Sequence, residues 1–187
     1  ILAQTTDDAL GEALDKAARM LGLGYPGGAI LEKLAKLGDP KVYKLPVPLA
    51  GQEKRMEFTY SGVKSAMMRL IEKEKPLTKE KIYNLAASFQ NVAFEHLIRV
   101  VSFAIQDSKF QIHDLLVGGG VATNVELRKR LRKLAKENGI NVHFPHSNKL
   151  YGDNAGMIGV ATYFKSLRGE YITPEKIDRD PNFKINN

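Results

Sequence analysis

Apolar residues recur along the 187-residue chain with the spacing of amphipathic helices, interrupted by short apolar runs that are typical of strands. The helical spacing predicts helices at residues 7–21, 29–37, 63–75, 79–107, 124–138 and 153–168. The short runs predict strands at residues 56–60, 114–117 and 140–144, with an edge strand at 42–45 inside the proline-containing loop 41–55. Thr5 or Thr6 is placed to cap the first helix, and Thr78 is placed to cap the fourth.

Between residues 114 and 144 the pattern runs strand, helix, strand, which predicts a βαβ unit with parallel strands. Gly118, Gly119 and Gly120 form the turn between the first strand and the helix. Glycines leave backbone N–H groups open to a ligand. The N-terminus of the following helix would also direct unpaired N–H groups and a positive dipole end at this turn. The stretch therefore predicts a site for a phosphate or another anion.

Composition narrows the class of protein without identifying its function. The length suits one domain or two small lobes. The formal charge of +7 is compatible with a nucleic-acid partner and equally with an ordinary basic protein. Cysteine is absent, which excludes disulfides and thiolate metal sites. The sequence predicts no membrane span, no signal peptide and no membrane partner, so we expect a cytoplasmic protein. Because the chain starts at Ile1 rather than methionine, we expect a piece of a longer protein.

Several acidic and histidine residues have two interpretations. Asp153 begins the last helix after the strand at 140–144, so it is either a helix cap or a metal or nucleotide ligand near the end of a strand. Asp8, Glu12 and Asp15 share one face of the first helix, which is tolerated more easily when a cationic or polar group lies opposite. His143 and His146 could join Asp153 around a metal, but nothing in their spacing fixes a geometry.

Three other features also have a structural and a functional interpretation. The turn at residues 25–28 exposes its backbone, with Glu32 one helical turn beyond Gly28, and a plain helix–helix connection explains it equally. Lys64 follows a strand-to-helix junction and could reach a phosphate, although the junction lacks the glycine frame of a Walker loop. The helix at 124–138 is either a solvated amphipathic helix or a surface for phosphate backbones. Its cations are Arg128, Lys129, Arg130, Arg132, Lys133 and Lys136.

Five blocks, taken in order, resemble the TsaD family, also called Gcp. They are TDDALGEALDK at 6–16, GLGYPGG at 22–28, FTYSGVK at 58–64, GGGVATN at 118–124 followed by Leu127-Arg128, and GDNAGMI at 152–158. The blocks cover nearly the whole chain, and the block at 58–64 is most similar to the bacterial or organellar branch. The resemblance implies an α/β fold, namely one lobe of the actin/sugar-kinase/Hsp70-like (ASKHA) ATPase fold with ribonuclease-H-like topology and added helices.

The resemblance implies a tRNA-modifying acyltransferase. Members transfer a threonylcarbamoyl group from threonylcarbamoyl-AMP to the adenosine beside the anticodon of tRNAs that read codons starting with A. The expected ligands are an ATP- or AMP-type nucleotide and one divalent metal ion, iron or zinc. The expected partners are tRNA and TsaB-like and TsaE-like proteins. Carried over to this chain, the nucleotide contacts are Asp15, Gly28, Glu32, Gly119, Gly120 and Asn124, and the metal ligand is Asp153.

Two features of the family are missing from the sequence: an H-x-x-x-H metal motif and a small glycine-rich substrate loop, both of which belong to the first lobe. We therefore expect the second half of a TsaD-like protein, which shares its metal with the missing N-terminal lobe and is inactive alone. Within this lobe, 1–110 is a helix-rich segment and 111–187 an α/β segment. The alternatives are an ATPase or small-molecule kinase of the same fold, or a non-enzymatic scaffold lobe.

Overall fold

The computed structural model describes residues 1–108, 111–152 and 155–178, and within them it is an α/β structure with two pairs of parallel strands. The helices are α1 (Leu10–Met20), α2 (Gly28–Ala35), α3 (Ser61–Glu74), α4 (Lys79–Asp107), α5 (Val125–Glu137) and α6 (Ala155–Leu167). The strands are β1 (Gln4–Thr5), β2 (Glu57–Phe58), β3 (Asp114–Leu116) and β4 (Asn141–His143). Short 3-10 turns occur at Glu53–Arg55, Gly120–Thr123, Asn148–Leu150 and Pro174–Lys176.

Helix α4 forms the centre of the core. Its apolar residues recur at helical spacing, and Leu85, Phe89 and Ala93 are completely buried. The predicted cap is confirmed, because the Thr78 hydroxyl accepts a hydrogen bond from the Lys81 N–H at 3.3 Å. Helices α1, α2, α3 and α5 pack against α4. On α1 the side that faces the core carries small residues such as Ala17, which allow the helices to approach closely.

Both strand pairs are parallel. Strand β1 pairs with β2, and β3 pairs with β4 in the register Asp114–Asn141, Leu115–Val142 and Leu116–His143. Since α5 connects β3 to β4, the predicted βαβ unit is confirmed. Leu127 and Leu131 of α5 join the core, so this unit is packed onto the helices that precede it.

The start of the first helix differs from the prediction. Helix α1 begins at Leu10, and the residue before it, Ala9, offers no capping side chain. The predicted cap Thr5 instead donates its hydroxyl to the Asp8 carbonyl. Asp7, predicted inside the helix, accepts hydrogen bonds from the N–H groups of Tyr60 and Ser61. The acidic start is thus used to join distant segments of the chain.

Two strand predictions also change. Residues 42–45 form no strand; Leu45 is buried in the core instead, and prolines flank the segment. Strand β1 was not predicted, because two residues carry no periodicity.

Helix α6 confirms the last predicted helix, although Asp153 lies outside the described residues. None of the α6 residues is buried, and Ile158 and Phe164 are among its exposed apolar side chains. In the part of the chain that the structure describes, no helix has the length and apolar character needed to cross a membrane. A division near residue 110 stays a prediction.

Candidate functional site

A cleft of about 730 Å³ lies where α1, α2, α4 and α5 meet the glycine turn after β3. Its volume is in the range of small-molecule sites. The walls are mainly apolar and include Leu97, Val101 and Leu131. Two carboxylates, Asp15 and Glu32, line it, whereas no lysine or arginine does so among the described residues. The cleft therefore combines an apolar surface with hydrogen-bond acceptors.

Asp15 of α1 fixes the turn that leads into α2. Its Oδ1 atom accepts hydrogen bonds from the N–H groups of Gly27 at 2.9 Å and Gly28 at 2.7 Å. A Cβ atom at position 28 would lie 3.1 Å from this oxygen, so glycine allows the close approach. The other carboxylate oxygen, Oδ2, takes no hydrogen bond from the described residues, which leaves it available to a ligand.

Glu32 joins α2 to the start of α5. Its Oε1 atom accepts a hydrogen bond from the Val125 N–H at 3.1 Å and lies 3.2 Å from the Lys36 ammonium. The residues are 93 positions apart in the chain. Glu32 therefore holds the glycine-turn segment against α2 while its carboxylate lines the cleft.

Asn124 is the N-cap of α5. Its Oδ1 accepts hydrogen bonds from the N–H groups of Glu126 at 3.0 Å and Leu127 at 3.1 Å. Its Nδ2 donates to Gln90 Oε1 at 3.0 Å, and the residue is only 4% exposed. Most of its hydrogen-bonding capacity is therefore used within the protein. The predicted nucleotide contact at Asn124 stays a prediction, and its observed contacts position the mouth of the cleft.

The glycine turn differs from the expected arrangement. A 3-10 turn, Gly120–Thr123, separates it from α5, and the first N–H groups of α5 are bonded to Asn124 and Glu32. The dipole end of α5 is therefore already satisfied. Open backbone remains at Gly118, Gly119 and Gly120, whose N–H groups form no hydrogen bond with the described residues, and the predicted nucleotide contacts at Gly119 and Gly120 stay a prediction. Gly119 has φ of +81° and ψ of 162°, a conformation that is essentially restricted to glycine.

The cationic or polar partners expected for Asp8, Glu12 and Asp15 are present, although Asp8 lies before α1. Backbone N–H groups bind Asp15, and lysines bind the other two acids. The Lys16 ammonium lies 2.6 Å from Asp8 Oδ1 and 2.8 Å from Glu12 Oε1. Lys64 also forms an ion pair with Asp8. Burial of the Asp8 carboxyl favours its neutral form, but the hydrogen bonds and charges of the two lysines outweigh it and lower its pKa. Lys64, considered as a phosphate ligand, is therefore committed to Asp8.

The described residues contain no group of three potential metal ligands. His143 Nε2 lies 2.7 Å from Asp114 Oδ1, across the β3–β4 pair. The predicted metal ligand Asp153 lies outside the described residues, so its role stays a prediction.

Sequence reasoning assigned no contact to two buried polar residues, one beside the cleft and one beside β2. Gln90 binds the Asn124 amide, and His96 accepts a hydrogen bond from the Thr59 N–H at 3.2 Å. Both are polar residues at buried positions of α4. Polar residues at core-facing positions of that helix indicate buried hydrogen bonds, and this pattern was visible in the sequence.

Comparison with known proteins gives a consistent result. The family model described as "TsaD: tRNA N6-adenosine threonylcarbamoyltransferase" matches residues 1–160. A protein of that name from Thermotoga neapolitana is 40% identical over 185 residues, which is 99% of this chain and 54% of the relative. The corresponding protein from Thermodesulfovibrio yellowstonii is 44% identical over 174 residues, which is 90% of this chain and 50% of the relative.

A third relative of the same name, from Moorella thermoacetica, is 39% identical across 100% of this chain and 53% of its own length. The chain thus spans about half the length of the curated relatives that it matches. All three relatives are transferases by name. With most of its length matched by the family model and by these relatives, the chain belongs to the TsaD family.

Proposed function

We propose that this chain is part of a tRNA N6-adenosine threonylcarbamoyltransferase. The whole protein transfers threonylcarbamoyl from threonylcarbamoyl-AMP to the adenosine beside the anticodon of tRNAs that read codons starting with A. Within it, the cleft holds the AMP portion of the donor. The observation that carries this proposal is the pair Asp15 and Glu32 in an otherwise apolar cleft, beside the open backbone of Gly118 and Gly119.

Each part of the cleft suits one part of an adenylate. The free Oδ2 of Asp15 and the carboxylate of Glu32 can accept hydrogen bonds from ribose hydroxyls, as acidic residues do in other nucleotide sites. Apolar walls such as Leu97 and Leu131 cover the adenine. The N–H groups of Gly118 and Gly119 face a phosphate. Because no cation lines the described cleft, a single phosphate suits it better than a triphosphate. This favours transfer from an adenylate over the alternative of an ATP-dependent kinase.

In the proposed reaction, N6 of the tRNA adenosine attacks the carbamoyl carbonyl carbon of the donor. A new N–C bond forms, the C–O bond to the phosphate breaks, AMP leaves, and N6 loses a proton. The role of this chain is to bind and orient the adenylate so that the carbonyl is presented to the amine. No residue of the chain is assigned as general base.

The proposed cofactor is one divalent metal ion, iron or zinc, with Asp153 as one ligand and the others in the half of the protein that this chain does not match. Such an ion would polarise the carbonyl or phosphate oxygens. Since the described residues offer no ligand set of their own, no step is assigned to it. We also propose the ASKHA architecture with ribonuclease-H-like topology, TsaB-like and TsaE-like partners, and a cytoplasmic location. Membership in the TsaD family supports these proposals.

Binding of AMP tests the cleft directly. In Asp15→Asn, the amide oxygen can keep the contacts to Gly27 and Gly28 while the ligand-facing oxygen becomes an NH₂ group. We expect AMP affinity, measured by calorimetric titration, to fall about tenfold, which corresponds to about 1.4 kcal/mol. The control is Glu12→Gln, which removes one charge from the same helix at an exposed position outside the cleft. Equal affinities of Asp15→Asn and the unchanged chain would contradict the proposal.

Activity assays separate the proposed function from its alternatives. With threonylcarbamoyl-AMP and unmodified tRNA, we expect no turnover by the 187-residue chain alone and turnover when the unmatched half of a relative is supplied. Turnover by the chain alone would show that the division of the site is wrong. Phosphorylation of a small molecule without tRNA would identify a kinase. Absence of AMP binding to the completed protein would favour a scaffold.

A further inference from the structure

The charges on α5 are divided between two flanks of the helix. One flank carries both of its acids together with two cations: Arg130 Nε lies 2.9 Å from Glu126, and Lys133 Nζ lies 3.8 Å from Glu137. Arg130 also donates to the carbonyl and side-chain oxygens of Asn91 on α4. This flank is therefore neutralised within the protein.

The opposite flank carries Arg128, Arg132 and Lys136, which we call the cationic row. These residues recur every four positions, so they form a continuous line with a rise of about 6 Å between neighbours. Lys129 lies beside the row. In the part of the chain that the structure describes, none of these four cations has an ion pair. A solvated amphipathic helix needs no such division of charge, because its acids would serve either flank equally.

Two members of the row are held by an aromatic ring. The Arg128 guanidinium carbon lies 4.6 Å from the centre of the Phe144 ring, and that of Arg132 lies 5.2 Å from it. The buried Nε of Arg128 has no hydrogen-bond partner within the described residues. Stacking on Phe144 restricts these side chains without neutralising their charge. The row is thus ordered before any anion binds.

The row lies beside the cleft. Leu127 and Leu131 line the cleft from the helix that also carries the row, and the row lies on a different side of that helix. Phe144 follows β4, and the glycine turn follows β3. Since these strands are parallel, both features are at the same edge of the strand pair. The two arginines that stack on Phe144 are therefore at the same edge of the strand pair as the glycine turn that lines the cleft.

We propose that the cationic row binds the phosphate backbone of the tRNA substrate next to the adenosine that enters the cleft. This inference rests on the proposed function, because tRNA enters through it. A line of unpaired cations follows a chain of phosphates, and arginine suits phosphate because its guanidinium can donate two parallel hydrogen bonds. An acidic protein is the other partner that such a surface could bind, and the experiment distinguishes the two.

The test compares two charge-matched double variants of the 187-residue chain. Arg132→Gln/Lys136→Gln removes two charges from the row. Lys133→Gln/Lys75→Gln removes two charges from exposed lysines that are paired with Glu137 and Glu72. Binding of an unmodified tRNA transcript is measured by fluorescence anisotropy at salt concentrations between about 50 and 200 mM.

For the row variant we expect about tenfold weaker binding at low salt. The slope of log affinity against log salt should fall by about 1.4 to 1.8, as expected for two lost phosphate contacts. The control variant should keep the affinity within about twofold and the slope unchanged. A third variant, Phe144→Leu, keeps every charge and removes the ring. It should weaken binding about threefold with an unchanged slope, because only the ordering of the arginines is lost.

Equal losses in the row and control variants would overturn the proposal, because binding would then depend on total charge. Lack of tRNA binding by the unchanged chain would also overturn it. An unchanged tRNA affinity of the row variant, together with weaker binding to poly-glutamate, would assign the row to an acidic protein. AMP titrations keep this result separate from the proposed function. The row variant should bind AMP normally, whereas failure of the unchanged chain to bind AMP would count against the cleft and not against the row.

Discussion

The two parallel strand pairs in the described part of the chain end in opposite ways. The segments that follow β1 and β2 are closed by the protein's own carboxylate: Asp7 accepts hydrogen bonds from the Tyr60 N–H at 2.9 Å and the Ser61 N–H at 3.1 Å. In the segment that follows β3, Gly118 and Gly119 line the cleft, and their N–H groups form no hydrogen bond with the described residues. After a short parallel strand pair, the backbone N–H groups can therefore bind a carboxylate of the protein itself or stay available to an anionic ligand.

The difference depends on which group satisfies the start of each helix. At α3 the group is Asp7, at α2 it is Asp15, and at α5 it is Asn124 together with Glu32. The starts of α2, α3 and α5 are thus occupied by side chains of the protein. The open donors at the glycine turn come from an irregular segment before the helix rather than from the helix itself. We therefore expect changes at the closed end to affect mainly stability, and changes at the open end to affect mainly ligand binding.

The largest expected effect is that of His96→Ala at the closed end. His96 is 1% exposed, its Nε2 accepts from the Thr59 N–H, and its ring contacts Phe58 and Tyr60 edge-to-face. Removing it leaves a cavity and an unpaired N–H group. We expect the free energy of unfolding, measured by urea denaturation, to fall by about 3 kcal/mol.

His113→Ala is the matched control for His96→Ala, because His113 is exposed beside β3 at the open pair. We expect that change to alter the unfolding free energy by less than about 0.5 kcal/mol. Similar losses in both variants would mean that the closed end carries no special share of the stability.

The next effect is that of Gly119→Ala at the open end. A side chain at φ of +81° and ψ of 162° strains the backbone, so we expect a loss of about 2 kcal/mol of unfolding free energy. Because the turn must shift to relieve this strain, we also expect AMP affinity to fall at least about tenfold. Gly118→Ala separates strain from bulk, since position 118 has open space and no positive φ. Equal loss of stability in both variants would show that strain at residue 119 is not the cause.

How much of this structure the sequence predicts depends on how far apart in the chain the interacting residues lie. Local patterns predicted the long helix α4 with its Thr78 cap, and the βαβ unit with parallel strands, and the structure confirms both. The glycine turn was also predicted, but its helix was expected to provide the anion site. That expectation failed because Asn124, the N-cap, binds two of the first N–H groups of α5 and Glu32 binds a third. An asparagine cap is a local pattern, whereas no local pattern shows a contact from Glu32, 93 residues away.

The acidic start of the chain illustrates the same limit. Asp7 and Asp8 fit the first turn of a helix by composition, yet they bind residues more than 50 positions away, namely Tyr60 and Lys64. Only the tertiary arrangement distinguishes a carboxylate that caps its own helix from one that caps another. The resemblance to a family supplied the candidate residues of the cleft, whereas their contacts required coordinates.

The smallest expected effect concerns the charge of Asp7. Burial favours the neutral form of this carboxyl, but hydrogen bonds from the Thr59 hydroxyl and from the N–H groups of Tyr60, Asp8 and Ser61 outweigh it and lower its pKa from 3.8 to about 2. A lowered pKa in the folded state contributes stability above the ordinary pKa, and this contribution is lost as the pH falls from about 4 to about 2. Because Asp7 is exposed and solvent screens it, we expect a contribution of only about 1 kcal/mol.

Unfolding free energies measured between pH 2 and pH 6 should therefore decrease with falling pH in the unchanged chain and decrease less in Asp7→Asn. Glu175→Gln, an exposed change far along the chain, should leave the slope as it is. If Asp7→Asn and Glu175→Gln gave the same pH dependence, the closed end would not depend on the Asp7 charge, and the contrast between the two strand ends would rest on His96 alone.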